Sequence, residues 1–341
     1  MTITFYLPPV LLPRCTPRWR ARLASLFIVA VAALPVAAKD AGRTNELVAV
    51  HFAFSKAMFK DINENDAMAA MKVYSKNIGD EGGVDTSFGP IYLDGTNAIA
   101  EALRRKQIDM ISLTSEEYLA LEDQGLSGPL LLSTVNQTVI EEYVLLARND
   151  SPVRSIEDLK GHSLIVANDI RASLVPIWLE VLCRQHGLGP ANQVFAKITS
   201  ASKTTQVVLP VFFGKADACV TTRNGWEVMG ELNPQVKKQL RAIAVSAPVV
   251  PGMACFRRDL SEPLKERILK TAESSRGKPS FMQLMALFKT DQLSRQPVSV
   301  LTNTRQLMAT YHQLCAGTND SKATVQASGM TTSQTERKES K

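Results

Sequence analysis

At 341 residues, 45% hydrophobic and 21% charged, with 18 Gly and 17 Pro, the chain has a globular composition and the length of about two domains, which excludes wholesale disorder. The formal charge of +6 is unevenly placed: Arg14, Arg18, Arg20 and Arg22 precede residue 39 with no acid among them, leaving 35 basic residues against 33 acidic. So even a balance excludes the basic face that a nucleic-acid partner requires.

The first 38 residues account for the asymmetry. A positive region, Arg14 to Arg22, leads into the apolar Leu23 to Val36 and the small-residue site Val36-Ala37-Ala38. This is the layout of a secretory signal peptide cleaved after Ala38. Its uncharged stretch, Leu23 to Ala38, is shorter than the ~20 residues of a spanning helix, the alternative being an uncleaved anchor. Export leaves Cys183, Cys219, Cys255 and Cys315 in an oxidising compartment. Four cysteines allow three pairings, and buried free thiols are an equal reading. Without C-x-x-C spacing or a neighbouring histidine they do not predict a zinc site, and no cofactor is expected.

Along the chain, Glu46 to Phe54 reads as a first strand, and Asn63 opens a helix with Ala67, Met71, Tyr74 and Ile78 on one face. Ser87 to Leu93 is a second strand. Asp94-Gly95-Thr96-Asn97 turns the chain into a helix from Ala98 to Lys106, and Ile108 to Leu113 is a third strand. Thr114 and Glu117 then have the spacing of a capping box. Such alternation predicts a parallel sheet flanked by helices. Leu130 to Val135 and Glu142 to Ala147 read as two strands with no helix between them, a passage to a second unit.

That unit opens on another capping pair, Ser155 with Asp158, followed by the buried strand Leu164 to Ala167 and a helix with Ser173 as N-cap and Pro176 in its first turn. Strands at Val194 to Ile198, Asp217 to Thr221 and Ala242 to Val245 alternate with helices at Ser202 to Phe213, where Pro210 should kink or end the helix, and Trp226 to Leu232. Met253 to Phe256 runs back towards the first unit. Three further helices follow (263–274, 280–288 and 303–314), and from Thr318 the composition is that of a disordered tail.

No phosphate loop, dinucleotide fingerprint, H-E-x-x-H or nucleophile elbow is present, and His51, His162, His186 and His312 are not at ligand spacing. The chain instead places short hydroxyl or amide residues where strands give way to helices: Ser55, Thr96, Asn97, Thr114 and Ser115 in the first unit, and Ser173, Ser200, Ser202, Thr221 and Thr222 in the second. Open α/β sheets bind ligands outside the carboxyl ends of their strands. Each residue taken singly is also an ordinary N-cap. Arg171 and Lys203, beside helix starts, add charge suited to an oxyanion, and Asp169 is placed to pair with Arg171 or to accept from a ligand.

Three segments, Ser155-Ile156-Glu157-Asp158-Leu159-Lys160-Gly161, Gly214-Lys215-Ala216-Asp217-Ala218 and Val250-Pro251-Gly252-Met253 through Asp259, resemble the type 2 periplasmic solute-binding proteins. Within that group the chain is most similar to the phosphate/phosphite/phosphonate-binding components of ABC transporters, over residues 44 to 318. The resemblance implies an α/β fold of two lobes, each a mainly parallel sheet flanked by helices, joined by two hinge strands. Lobe 1 would comprise residues 39–147 and 248–317, and lobe 2 residues 148–247. It further implies a periplasmic protein that closes over a small polar solute and delivers it to a membrane permease. The Ser/Thr/Gly-rich turn usual before the crossover helix is here Asn168 to Ser173, where only Ser173 fits the pattern. Two rivals keep the scaffold: a ligand-sensing partner of a membrane signalling protein, or an enzyme using Cys219, Cys255 or His51.

Overall fold

The structure is a computed structural model, and it describes residues 47–60 and 62–329, with side chains to residue 316. The expected signal peptide lies outside the described residues. In chain order the elements are β1 (Val48–Ala49), β2 (Phe52–Ser55), α1 (Glu64–Gly82), β3 (Val84–Asp85), β4 (Ile91–Leu93), α2 (Gly95–Arg104), β5 (Met110–Thr114), α3 (Ser115–Leu121), β6 (Leu126–Thr134) and β7 (Tyr143–Arg148). There follow β8 (Ser163–Ala167), α4 (Val175–Gln185), α5 (Ala191–Val194), β9 (Lys197–Ala201), α6 (Thr204–Phe212), β10 (Ala218–Thr222), α7 (Arg223–Leu232), α8 (Pro234–Gln239) and β11 (Leu240–Val245). The chain ends with β12 (Gly252–Arg257), α9 (Glu262–Ser274), α10 (Pro279–Leu287), β13 (Gln292–Gln296) and α11 (Thr302–Gly329). Short 3-10 turns at Lys56–Phe59, Glu157–Leu159, Ile170–Ala172 and Val298–Leu301 complete the connections that matter below.

The strands form a six-stranded sheet, ordered β13-β6-β12-β5-β2-β4, and a five-stranded sheet, ordered β11-β7-β10-β8-β9, besides the small pair of β1 with β3. Each large sheet is mixed rather than mainly parallel. β4, β2 and β5 run parallel, as do β9, β8 and β10, while β12, β6, β13, β7 and β11 pair antiparallel. β6 leads into β7, and β11 into β12, by short passages without a helix, each crossing from one large sheet to the other. These two passages are bonded to each other: Glu141 N–H donates to the Val249 carbonyl (2.7 Å) and Val249 N–H donates back (2.8 Å). They are the two hinge strands between the sheets.

Central strands are apolar on both faces, as sheets covered by helices require. Tyr143 to Ala147 in β7 are fully buried, as are Ala218, Cys219 and Val220 in β10. Local signals worked as expected at several ends. Asn63 caps α1 through Asn65 and Asp66 N–H, and Gly83 closes it in the left-handed region at φ 61°. Thr114 and Glu117 form the full capping box of α3, and Ser155 N–H and Oγ both meet Asp158.

Other expectations shift. β9 begins three residues later than expected, because Ala191–Val194 is a short helix. Pro210 lies inside α6, and its carbonyl accepts from Lys215 N–H just beyond the helix end. β13, too polar to read from sequence, is held as an edge strand by β6. The backbone from Thr302 to Gly329 is one helix, and residues 330–341 of the expected tail lie outside the described residues.

Candidate functional site

β2, β4 and β5 run parallel, so their carboxyl ends share one edge of the sheet, and the 3-10 turns Lys56–Phe59 and Ile170–Ala172 touch across the gap between sheets. Beside that contact lies a cleft of about 320 Å³ lined by Ala57, Lys60, Gly95, Thr96, Thr114, Glu116, Glu117, Ser173 and Leu174. Three of the sequence candidates, Thr96, Thr114 and Ser173, are therefore brought together from both sides of the molecule.

Gly95 (φ 77°) turns the chain sharply from β4 into α2, so that the first turn of that helix meets the cleft. Asp94, at the N-cap, makes no capping bond. The leading N–H groups of a helix have no partner within it and carry its positive dipole end, so this turn suits an anion. Thr96 and Asn97 sit inside that turn, not ahead of the helix as the sequence suggested. Asn97 is exposed and lies outside the lining.

The hydroxyls have commitments of their own. A hydroxyl carries one proton, so each donates one hydrogen bond. Ser55 is buried; its Oγ accepts from Ala57 N–H and donates to Glu117 Oε1 at 2.5 Å. Thr114 Oγ1 donates to Glu117 Oε2 (3.1 Å), which also accepts from Thr114 N–H (3.0 Å). Ser115 Oγ donates to the Val250 carbonyl, and Ser173 Oγ to the Pro251 carbonyl at 3.1 Å. Ser173 is thus not the N-cap of α4, whose cap position is Leu174; its side chain instead ties the second lobe to the returning hinge strand. Glu117 collects three donors in a buried position and was missed as a site residue. Its capping-box spacing was legible; the Ser55 partner 62 positions away was not.

Arg171 faces a separate recess of about 50 Å³ on the other side of Pro251, with Glu141, Ile170, Met58 and Gly252. It forms a buried ion pair with Glu141, and its carbonyl accepts from Tyr143 Oη at 3.0 Å. Burial pushes the Glu141 carboxyl up to about 7, the Arg171 cation opposing that shift and the Asp169 charge adding to it. Asp169 Oδ1 accepts from the N–H groups of Arg171 and Ala172, so its carboxylate shapes the turn. The remaining candidates lie outside both linings. Ser200 is in β9; Ser202 and Lys203 are exposed after it, Lys203 taking the N-cap position of α6 without a side-chain bond. Thr221 is buried in β10, and Thr222 caps α7 by accepting from Gly225 N–H.

Residues considered for covalent chemistry also sit elsewhere. Cys219 and Cys255 are fully buried in central strands, and burial pushes both thiols well above their usual range. Cys183, like Cys219 and Cys255, is a buried thiol outside any disulfide. His51 N–H donates to Asp109 Oδ2 (2.8 Å), which also lies 3.1 Å from His51 Nδ1, and the ring stacks on Phe88. Among the described residues no group of three or more His, Cys, Asp or Glu could hold a metal ion, and no helix is long and apolar enough to cross a membrane.

Two mixed sheets joined by paired hinge strands, with a polar cleft at the strand ends, define a periplasmic binding protein of type 2 architecture. Residues 58–278, well over half of the chain, match the periplasmic substrate-binding proteins of phosphonate ABC transporters, and the chain belongs to that family. No curated protein matches it. Among solved structures, a Xanthomonas citri protein bound to chloride is 18% identical, with TM-score 0.54 over 79% of this chain and 99% of its own. The same protein bound to ATP gives 17% and 0.53 over 78% and 98%. A binding component of a phosphonate ABC transporter from Pseudomonas aeruginosa is 14% identical, with TM-score 0.50 over 79% of this chain and 88% of its own. At such identities the likeness speaks for the fold. The chain is a solute-binding protein of the ABC-transporter type, and family membership implies a periplasmic location and a role in binding.

Proposed function

We propose that the protein holds a small oxyanion of the phosphate or phosphonate class between its lobes and passes it to the permease of an ABC transporter. The observation that carries this reading is the uncapped N-terminus of α2 at the cleft, with Thr96 beside it, Lys60 supplying a cation and Ser173 arriving from the opposite side. Neutral N–H and hydroxyl donors in a closing cleft hold an anion without full charge pairing. Glu117 does not oppose this strongly, because its carboxylate is turned onto Ser55 and Thr114. Closing about the paired hinge strands would bring Ser202, Lys203, Thr221 and Thr222 towards the ligand, which is the role left for them. Export with cleavage after Ala38 completes the reading, and transport is favoured over sensing by the family.

Thermal unfolding of purified protein with phosphate, phosphite, methylphosphonate and sulfate tests the proposal. Saturation to a hundred times Kd stabilises a binding protein by about 2.7 kcal/mol. For a chain of this size that corresponds to roughly 4 °C. The absence of any shift with all four anions at millimolar concentration would remove the oxyanion from the account.

A further inference from the structure

Behind the recess that holds Arg171 lies an unfilled apolar chamber of about 110 Å³, between the six-stranded sheet and helices α1, α9 and α10. Recess and chamber share Met58, Ser133, Gly252, Phe288 and Thr290, so the two adjoin and a few side chains separate them. Protein interiors are packed to the density of organic crystals, so a cavity of this size among core elements stands out. Its walls are unusual in kind as well. Met58, Met71, Met110, Met253 and Met285, five of the eleven methionines in the chain, face it. Methionine is unbranched and polarizable, and methionine-rich walls adapt to flexible apolar guests of varied shape.

In the adjoining recess, Arg171 carries a planar fork of N–H donors suited to a carboxylate, sulfonate or phosphonate. From the shared lining and this charge we infer that the chamber takes the unbranched alkyl tail of an amphipathic anion whose head group binds at Arg171. The inference takes from the proposed function only the class of head group; its position at Arg171 is distinct from the cleft at the start of α2, and the tail's chamber is a separate observation. Burial pushes up the carboxyl of Glu141, the present partner of Arg171, which favours its neutral form and weakens its hold on the guanidinium.

Isothermal titration of the mature protein with n-alkylphosphonates from methyl to octyl tests this. Each methylene that enters the chamber should tighten binding about fourfold until the tail fills it. Methionine methyl groups labelled with carbon-13 give a second readout on unmodified protein: the longer ligands should shift several methionine resonances and methylphosphonate should not. Ala272→Leu, on the chamber wall, should abolish the gain with chain length while leaving methylphosphonate affinity in place. Octylphosphonate binding no tighter than methylphosphonate, or binding without moving the methionine signals, overturns the chamber. Tight octylphosphonate binding with no response to methylphosphonate or phosphate keeps the chamber and instead removes the small-oxyanion function.

Discussion

Glu141 offers the sharpest quantitative test, because it lies on a hinge strand, pairs with Arg171 and is 94% removed from solvent in effect, its residue exposure being 6%. Its carboxyl moves from an ordinary 4.5 to about 7 in the folded protein, with burial as the largest cause. Below about pH 4.5 it is neutral in both folded and unfolded states. Between 4.5 and 7 the unfolded chain gives up the proton while the folded protein keeps it, so stability falls as pH rises through that window. Summed over the window, the loss attributable to this group is on the order of 3 kcal/mol. Glu141→Gln removes the titration while preserving shape. Urea unfolding of wild type and variant at pH 5 and pH 8 isolates the effect as a change in their stability difference. The variant should gain on the wild type by about that amount from the lower to the higher pH. A stability difference that does not change with pH, or wild type gaining at pH 8, would show that the Arg171 cation outweighs burial and refute the reasoning.

Glu117→Gln replaces an acceptor of three hydrogen bonds with a group that must turn a donor towards one of them, and should destabilise by about 1 to 3 kcal/mol in urea unfolding. Loss of under 0.3 kcal/mol, a roughly negligible change on that scale, would mean the Ser55 and Thr114 bonds are not held in solution. Thr96→Val should weaken methylphosphonate binding several-fold by titration calorimetry, whereas Lys215→Ala, at an exposed position outside the cleft lining, should alter it far less. Equal losses from the two would remove the start of α2 from the binding site. Native protein should react slowly with a thiol reagent at Cys183, Cys219 and Cys255, all three buried, and rapidly once unfolded. Prompt labelling of all three in the native state would contradict their burial.

Much of the fold was legible because its signals are local. Alternating apolar runs placed strands near β2, β5, β8 and β10, and Asn63, Thr114 and Thr222 cap helices with side chains two or three residues from the N–H groups they satisfy. Where the reading slipped, a longer-range partner had the final say. β13 has a polar composition and exists as a strand through its ladder with β6, more than 150 residues earlier. The mixed character of both sheets rests on which strands the fold sets side by side, β7 with β10 and β11, β12 with β5 and β6, a topological fact that apolar periodicity does not record.

By itself the sequence determined the alternation of strands and helices, the export-type leader pattern, the hydroxyl residues at strand ends and the family resemblance. Each of these is a property of neighbouring residues or of composition. Tertiary structure decided what those hydroxyls do. Ser55 is turned onto Glu117, Ser115 onto Val250 and Ser173 onto Pro251, across separations of 62, 135 and 78 residues. It also decided that Arg171 answers Glu141 rather than the cleft where Thr96 and Thr114 meet, and that five methionines surround one chamber. A hydrogen bond is directional and a hydroxyl has one proton to give, so a residue type at a strand end states only that a donor is present. Where that donor points is set by whatever the folded chain brings within reach.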